Sequence, residues 1–191
     1  MALPASDNFN RSNGSIGSNW TTITGENALV IASNHAAGSA DPSGMYWSAD
    51  AFGSDQYCQA SLVSTNDYVS ILCRVSPSQQ TYYGLNIEHA GWYFLKYVNG
   101  VGSLIGSFQS RSIVNGDVWR LEAVGSTLRV SVNGALLSYS VDDASVASGS
   151  PGIEIDTGSS AYGWDNWGCG NVGGGFLPTW IRAISGSIGG R

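Results

Sequence analysis

The stretch from Val118 to Gly134 constrains this chain more than any other, because one hairpin register places every side chain sensibly. Folding about Gly125-Ser126 sets Trp119 opposite Val132, Leu121 opposite Val130 and Ala123 opposite Leu128. All three pairs are apolar. The other face then pairs Glu122 with Arg129 and Arg120 with Ser131. Side chains alternate sides along a strand, so a slip of one residue would turn the apolar set outward. A half-buried antiparallel hairpin is the economical solution.

The same grammar recurs along the chain. Val132-Asn133-Gly134-Ala135 and Val98-Asn99-Gly100-Val101 both carry the Asn-Gly pair of two-residue hairpin turns. Folding about His89-Ala90-Gly91 pairs Ile87 with Tyr93, Leu85 with Leu95 and Tyr83 with Tyr97. The opposite, outward face would then hold Glu88 with Trp92, Asn86 with Phe94 and Gly84 with Lys96. A fold about Ser64–Asp67 sets Leu62 against Val69, Ala60 against Ile71 and Cys58 against Cys73, all inward. Those two cysteines are then either reduced core thiols or a cross-strand disulfide, and Cys169 has no obvious partner. No stretch before Pro178 has a helical period. The 26 glycines suit many short strands joined by tight turns.

Charge narrows the function classes. Eight Lys and Arg against fourteen Asp and Glu leave a net charge of -6, and the basic residues are scattered. Nucleic-acid binding needs a basic face and is set aside. No apolar run approaches the roughly 20 residues of a membrane span. The opening Met1–Ala5 lacks the basic and apolar stretches of a secretory signal, so either the protein is used without that export route or its signal lies outside this sequence.

Several motifs together resemble the concanavalin A-like lectin/glucanase domains of the broad laminin-G-like group. They are Asp7-Asn8-Phe9-Asn10-Arg11 with Gly14–Trp20, Asn115–Glu122 running into Thr127–Gly134, Ser148–Ile153, and the closing Asp165-Asn166-Trp167. The resemblance covers about residues 6–168. It implies an all-β, two-sheet antiparallel jelly-roll sandwich, with first and last strands adjacent, over residues 1–168. A short tail, 169–191, follows. Members of the group include glycan-binding modules, glucanases, adhesion modules and phage virion proteins.

Glucanases of this group carry Glu-x-Asp-x-x-Glu on one strand. Here Glu154-Ile155-Asp156 supplies the first two positions, but Ser159 stands at the third. A retaining hydrolase needs two carboxyl groups about 5–5.5 Å apart. With one catalytic carboxylate missing, Glu154 and Asp156 read as solvated strand residues and no enzyme is expected. His35 and His89 read as surface residues outside any catalytic or metal motif. For glycan binding, the outward face near His89 offers Trp92, Tyr82, Asn86 and Glu88. No cofactor is expected. Ca2+ is the one ion the resemblance would admit, though Asp142, Asp143 and Asp165 form no ligand pattern.

The tail is the least ordinary segment. Gly170–Gly175 reads as a hinge, followed by Phe176, Leu177, Pro178, Trp180, Ile181, Ile184 and Ile188. Leu177, Trp180 or Ile181, and Ile184 would share one helical face, with Pro178 in its first turn. Such a face needs a cover, either its own sandwich or a partner, and docking on other protein subunits is the expectation. The leading sequence reading is therefore a non-enzymatic virion component, for capsid decoration or tail association, displaying a lectin-like sandwich. A virion location is expected, with an extracellular one as the alternative. The alternatives are a module binding surface glycans and, more distantly, a glucanase-like hydrolase.

Overall fold

The computed structural model describes residues 4–64 and 68–173. Phe176, Leu177, Trp180, Ile181, Ile184 and Ile188 lie outside the described residues. Among the described residues sixteen strands follow one another: Ala5–Asp7 (β1), Gly14–Ser15 (β2), Trp20–Thr22 (β3), Leu29–Ala32 (β4), His35–Gly38 (β5), Ser43–Trp47 (β6), Gln56–Ser64 (β7) and Val69–Val75 (β8). The second half adds Tyr82–Glu88 (β9), Gly91–Val98 (β10), Val101–Ser110 (β11), Val118–Val124 (β12), Thr127–Val132 (β13), Ala135–Asp142 (β14), Ser150–Ile155 (β15) and Gly163–Asn171 (β16).

The strands form two antiparallel sheets packed as a sandwich. One has nine strands in the order β14-β13-β12-β7-β16-β5-β4-β2, with β1 also paired to β16. The other has seven, in the order β11-β10-β9-β8-β15-β6-β3. The first and last strands are neighbours, as the resemblance implied.

The β12–β13 hairpin has the expected register throughout, from Trp119 opposite Val132 to Val124 opposite Thr127. The Asn-Gly turns at 99–100 and 133–134 are also present. Asn99, Gly100, Asn133 and Gly134 all have positive φ (52°, 81°, 52° and 79°), the left-handed geometry that favours Asn and Gly.

Two expected pairings are corrected. In the β9–β10 hairpin the loop is His89-Ala90 alone, so Glu88 faces Gly91 and Ile87 faces Trp92. The glycine at 91 is required by the close approach of Gln109 and Phe108 on β11, not by the turn. The second concerns β7 and β8, which do not pair. Strand β7 lies between β12 and β16 in one sheet, and β8 lies between β9 and β15 in the other. Cys58 and Cys73 therefore face each other's sheet across the core, as free buried thiols. Cys169 stands beside Cys58 on β16 and is free and buried too.

The interior holds Trp20, Trp47, Trp92, Trp119, Trp164 and Trp167, all at most 7% exposed. Burying aromatics of this size supplies much of the hydrophobic driving force. Trp20, Trp47 and Trp167 contact one another, with ring centroids 4.6–5.4 Å apart. Asp7 ties this end together by accepting hydrogen bonds from Trp20 Nε1 (3.0 Å) and from both Nη groups of Arg11. Strand β16 runs on to Asn171, and Val172 N donates to Asp55 O at 2.9 Å. Gly170 and Asn171 are therefore sheet residues rather than the start of a hinge.

Candidate functional site

The one-residue shift at His89 rearranges the expected glycan face. Trp92 points into the core against Phe94 and Trp119 and is 3% exposed, so it is withdrawn as a surface platform. Lys96 turns to Asp143 and Ser145 rather than outward beside Trp92. Tyr82 and Asn86 do lie on the outer face of the seven-stranded sheet, yet both are buried in its floor. Glu88 lies on the same face and is half-buried.

This outer face is built in rows by strand register. One row runs Gly44, Glu154, Ser70, Asn86, Tyr93 across β6, β15, β8, β9 and β10. The next runs Tyr46, Gly152, Leu72, Gly84, Leu95 over the same strands. A small apolar cluster of Ile23, Tyr46, Leu72, Val75, Tyr82 and Leu95 fills that second row, separate from the main core. Tyr93 and Tyr97 pack at its edge, both half-buried, and the Tyr82 and Tyr97 rings lie tilted with centroids 5.0 Å apart. Tyr93 also lies 6.3 Å from Phe108, which is 40% exposed. Tyr68, also 40% exposed, and Asp156 lie close enough to Tyr93 to act on its hydroxyl.

The polar row has a centre that sequence reasoning missed. Glu154, expected in solvent, is 3% exposed. Its carboxylate accepts from Tyr82 Oη at 2.9 Å. The same hydroxyl contacts Glu26 Oε1 at 3.2 Å, and Gln80 donates to that oxygen at 3.2 Å. Glu26 reaches this position from the chain after β3 because Gly44 leaves no side chain in its way. Burial raises the Glu154 carboxyl well above its ordinary range, and the charges of Glu26 and Asp156 push it further. Glu26 is raised as well, first by burial. Two carboxyl groups sharing one hydroxyl favour retaining a proton between them.

Among the described residues, three oxygens in this floor find no hydrogen-bond partner: Glu26 Oε2, Asn86 Oδ1 and Ser70 Oγ. Ser70 Oγ stands beside Glu154, near enough to act on its charge yet outside hydrogen-bonding geometry. A buried polar atom without a partner is costly, so such a group calls for a reason. The face can therefore offer aromatic rings at its rim and acceptor-rich polar groups beneath them.

The other sequence candidates are dispersed. His35 is 7% exposed inside β5, where its Nε2 meets Ser160 O at 3.1 Å, so it is not the surface loop residue expected. His89 is exposed at its hairpin tip. Asp143 is engaged by Lys96, Tyr83 and Ser145, and Asp142 by Thr127. Among the described residues no cluster of three or more His, Cys, Asp or Glu is placed to hold a metal ion. Nor is any helix among them long and apolar enough to cross a membrane.

No family model matches the chain, and neither does any curated protein. Solved structures do. The carbohydrate-binding module CBM66 from Bacillus subtilis superposes with a TM-score of 0.58 at 18% identity, covering 83% of this chain and 96% of its own. A prokaryotic β-1,3-1,4-glucanase (lichenase) from a mouse hindgut metagenome gives 0.60 at 12% identity, covering 90% and 100%. The exoplasmic/lumenal domain of VIP36, in a Ca2+/Man2-bound form, gives 0.56 at 9%, covering 95% and 92%. The chain therefore has the concanavalin A-like jelly-roll sandwich fold shared by lectins, carbohydrate-binding modules and glucanases.

Proposed function

We propose that this domain is a glycan-binding module that recognises its ligand on the outer face of the seven-stranded sheet and does not cleave it. The observation that carries the reading is the tyrosine-rimmed polar floor. Tyr93 and Tyr97 are four residues apart on one strand, so their rings are spaced by about 13 Å. That suits a short oligosaccharide laid along β10, with Phe108 and Tyr68 flanking one end. Sugar rings stack on aromatic faces through their C–H groups, and their hydroxyls donate to acceptors such as Glu88 and Asp156. Binding without cleavage is supported by Ser159 in the third motif position and by Glu154 sealed under Tyr82. The likeness to carbohydrate-binding folds supports the same class, while the residues above supply the site.

A glycan array followed by titration of the best neutral oligosaccharide tests this. Tyr93→Ala should weaken binding at least tenfold with the fold intact. Unchanged affinity in Tyr93→Ala and Tyr97→Ala would remove the platform from the account.

A second reading, display of the sandwich on a larger assembly such as a phage virion, is favoured by the apolar segment from Phe176 to Ile188. Light scattering of the full chain against a chain ending at Gly173 tests it. Association that is lost with the tail supports an anchor, and monomers of equal stability oppose it.

A further inference from the structure

The nine-stranded sheet carries a second arrangement on its own outer face. Register sets Tyr57, Glu122, Arg129 and Ser140 in one row and Gln59, Arg120, Ser131 and Leu136 in the next. Strand β14 spends extra residues between Leu136 and Ser140, where the β13–β14 register shifts. Beside this shift lies a depression of about 410 Å3 bounded by Gln59, Arg120, Arg129, Ser131 and Leu136.

The two arginines in it are in different states. Arg120 is committed. Its Nε and Nη2 reach Glu122 Oε1 at 2.8 and 2.6 Å, its Nη1 reaches Gln59 Oε1 at 3.2 Å, and its guanidinium lies 3.6 Å over the Tyr57 ring. Arg129, although cross-strand from Glu122, finds that carboxylate already taken. Among the described residues it makes no hydrogen bond, ion pair or ring contact. A half-buried guanidinium fork lining a walled hollow is complementary to a planar carboxylate. With Glu122 neutralised by Arg120, the two arginines and one carboxylate leave a single net positive charge, which matches a singly charged carboxylate better than doubly charged phosphate or sulfate. Leu136, 65% exposed, and Val118 give the hollow an apolar rim for the C–H side of a ring. Gln59 and Ser131 give it polar groups for hydroxyls.

We propose that this depression binds the carboxylate of an acidic sugar of the uronic acid class, through a bidentate contact to Arg129. This site lies on the opposite sheet from the tyrosine face and stands independently of it. A glycan with both acidic and neutral units could be held by either face.

The test is titration of the full chain with an oligouronate, its neutral counterpart, inorganic phosphate and an acidic peptide, followed by amide chemical shifts. The expected result is saturable binding of the oligouronate with shifts confined to β12–β14. Arg129→Gln should weaken it at least tenfold with unchanged thermal stability, because Arg129 holds nothing in place. Affinity should fall with added salt, and Tyr93→Ala should leave it unaltered. Equal binding of the neutral oligosaccharide, phosphate or the acidic peptide would overturn the proposal. So would full affinity in Arg129→Gln, or shifts that map to the tyrosine face and vanish with Tyr93→Ala.

Discussion

Replacing Glu154 by Gln should make this protein more stable as pH rises, not less. Glu154 is 3% exposed and shares the Tyr82 hydroxyl with Glu26. Its carboxyl is raised in the folded state, first by burial and then by the charges of Glu26 and Asp156. A carboxyl raised on folding contributes stability that is fully present below the unfolded value of about 4.3 and lost as pH climbs through the folded value. Over that window the wild type holds a proton that the unfolded chain releases. One retained proton gives a slope of about 1.4 kcal/mol per pH unit. Gln cannot ionise, so the variant lacks this slope, and its amide can donate to the orphaned oxygens of Ser70 or Glu26. For a chain of this size the gap in Tm should widen by roughly 3–5 °C per pH unit above about pH 4.3, until native Glu154 ionises.

Opposite effects come from Asp7 and Asp143. Burial alone would raise Asp143, but hydrogen bonds from Lys96, Ser145 and Tyr83 outweigh it and hold the carboxyl low. Asp7 behaves alike through Arg11 and Trp20. Both lend stability that is lost as pH falls, and both cancel in the difference between wild type and variant. Denaturant unfolding of the two proteins from pH 4 to 8 reads the difference directly. Parallel curves, or a variant less stable at every pH, would refute the shared-proton reasoning.

Other outcomes follow from single contacts. Arg74, 2% exposed, donates to the carbonyls of Ser54, Val146 and Gly125 at 2.8 Å each, so Arg74→Ala should cost on the order of 4 kcal/mol in urea unfolding. Gly44→Ala should push Glu26 out of the polar floor, lower the raised Glu154 carboxyl and shorten the pH range over which the wild-type slope runs, read by denaturant unfolding across pH. Burial pushes the Cys58 thiol up to about 12 and raises Cys73 and Cys169, so an aromatic disulfide reagent should modify none of the three until the protein unfolds.

The parts of this structure that were legible in sequence are those set by neighbours along the chain. The β12–β13 register follows from apolar alternation plus a two-residue turn, and nothing distant competes with it. The β9–β10 hairpin went one residue astray because Gly91 looked like turn glycine, whereas its role is to admit β11. Alternation alone could not separate pairing in one sheet from facing across two. Cys58 and Cys73 point inward either way, so the crossing of β7 and β8 between sheets left no local mark. The carboxyl pair was invisible for a similar reason. Glu26 and Glu154 are far apart in sequence, and only the missing side chain at Gly44 lets them meet. The shifted hairpin register put Trp92 on the outward face, but the six described tryptophans fill the core and the rim is tyrosine instead.

The most direct test of glycan recognition is an amide chemical-shift map of the full chain titrated with the strongest neutral glycan from an array. Saturable shifts centred on Tyr93, Tyr97 and their neighbours on β9 and β15, lost in Tyr93→Ala, are the expected result. Shifts confined to other surfaces, or no saturable binding by any glycan, would contradict it.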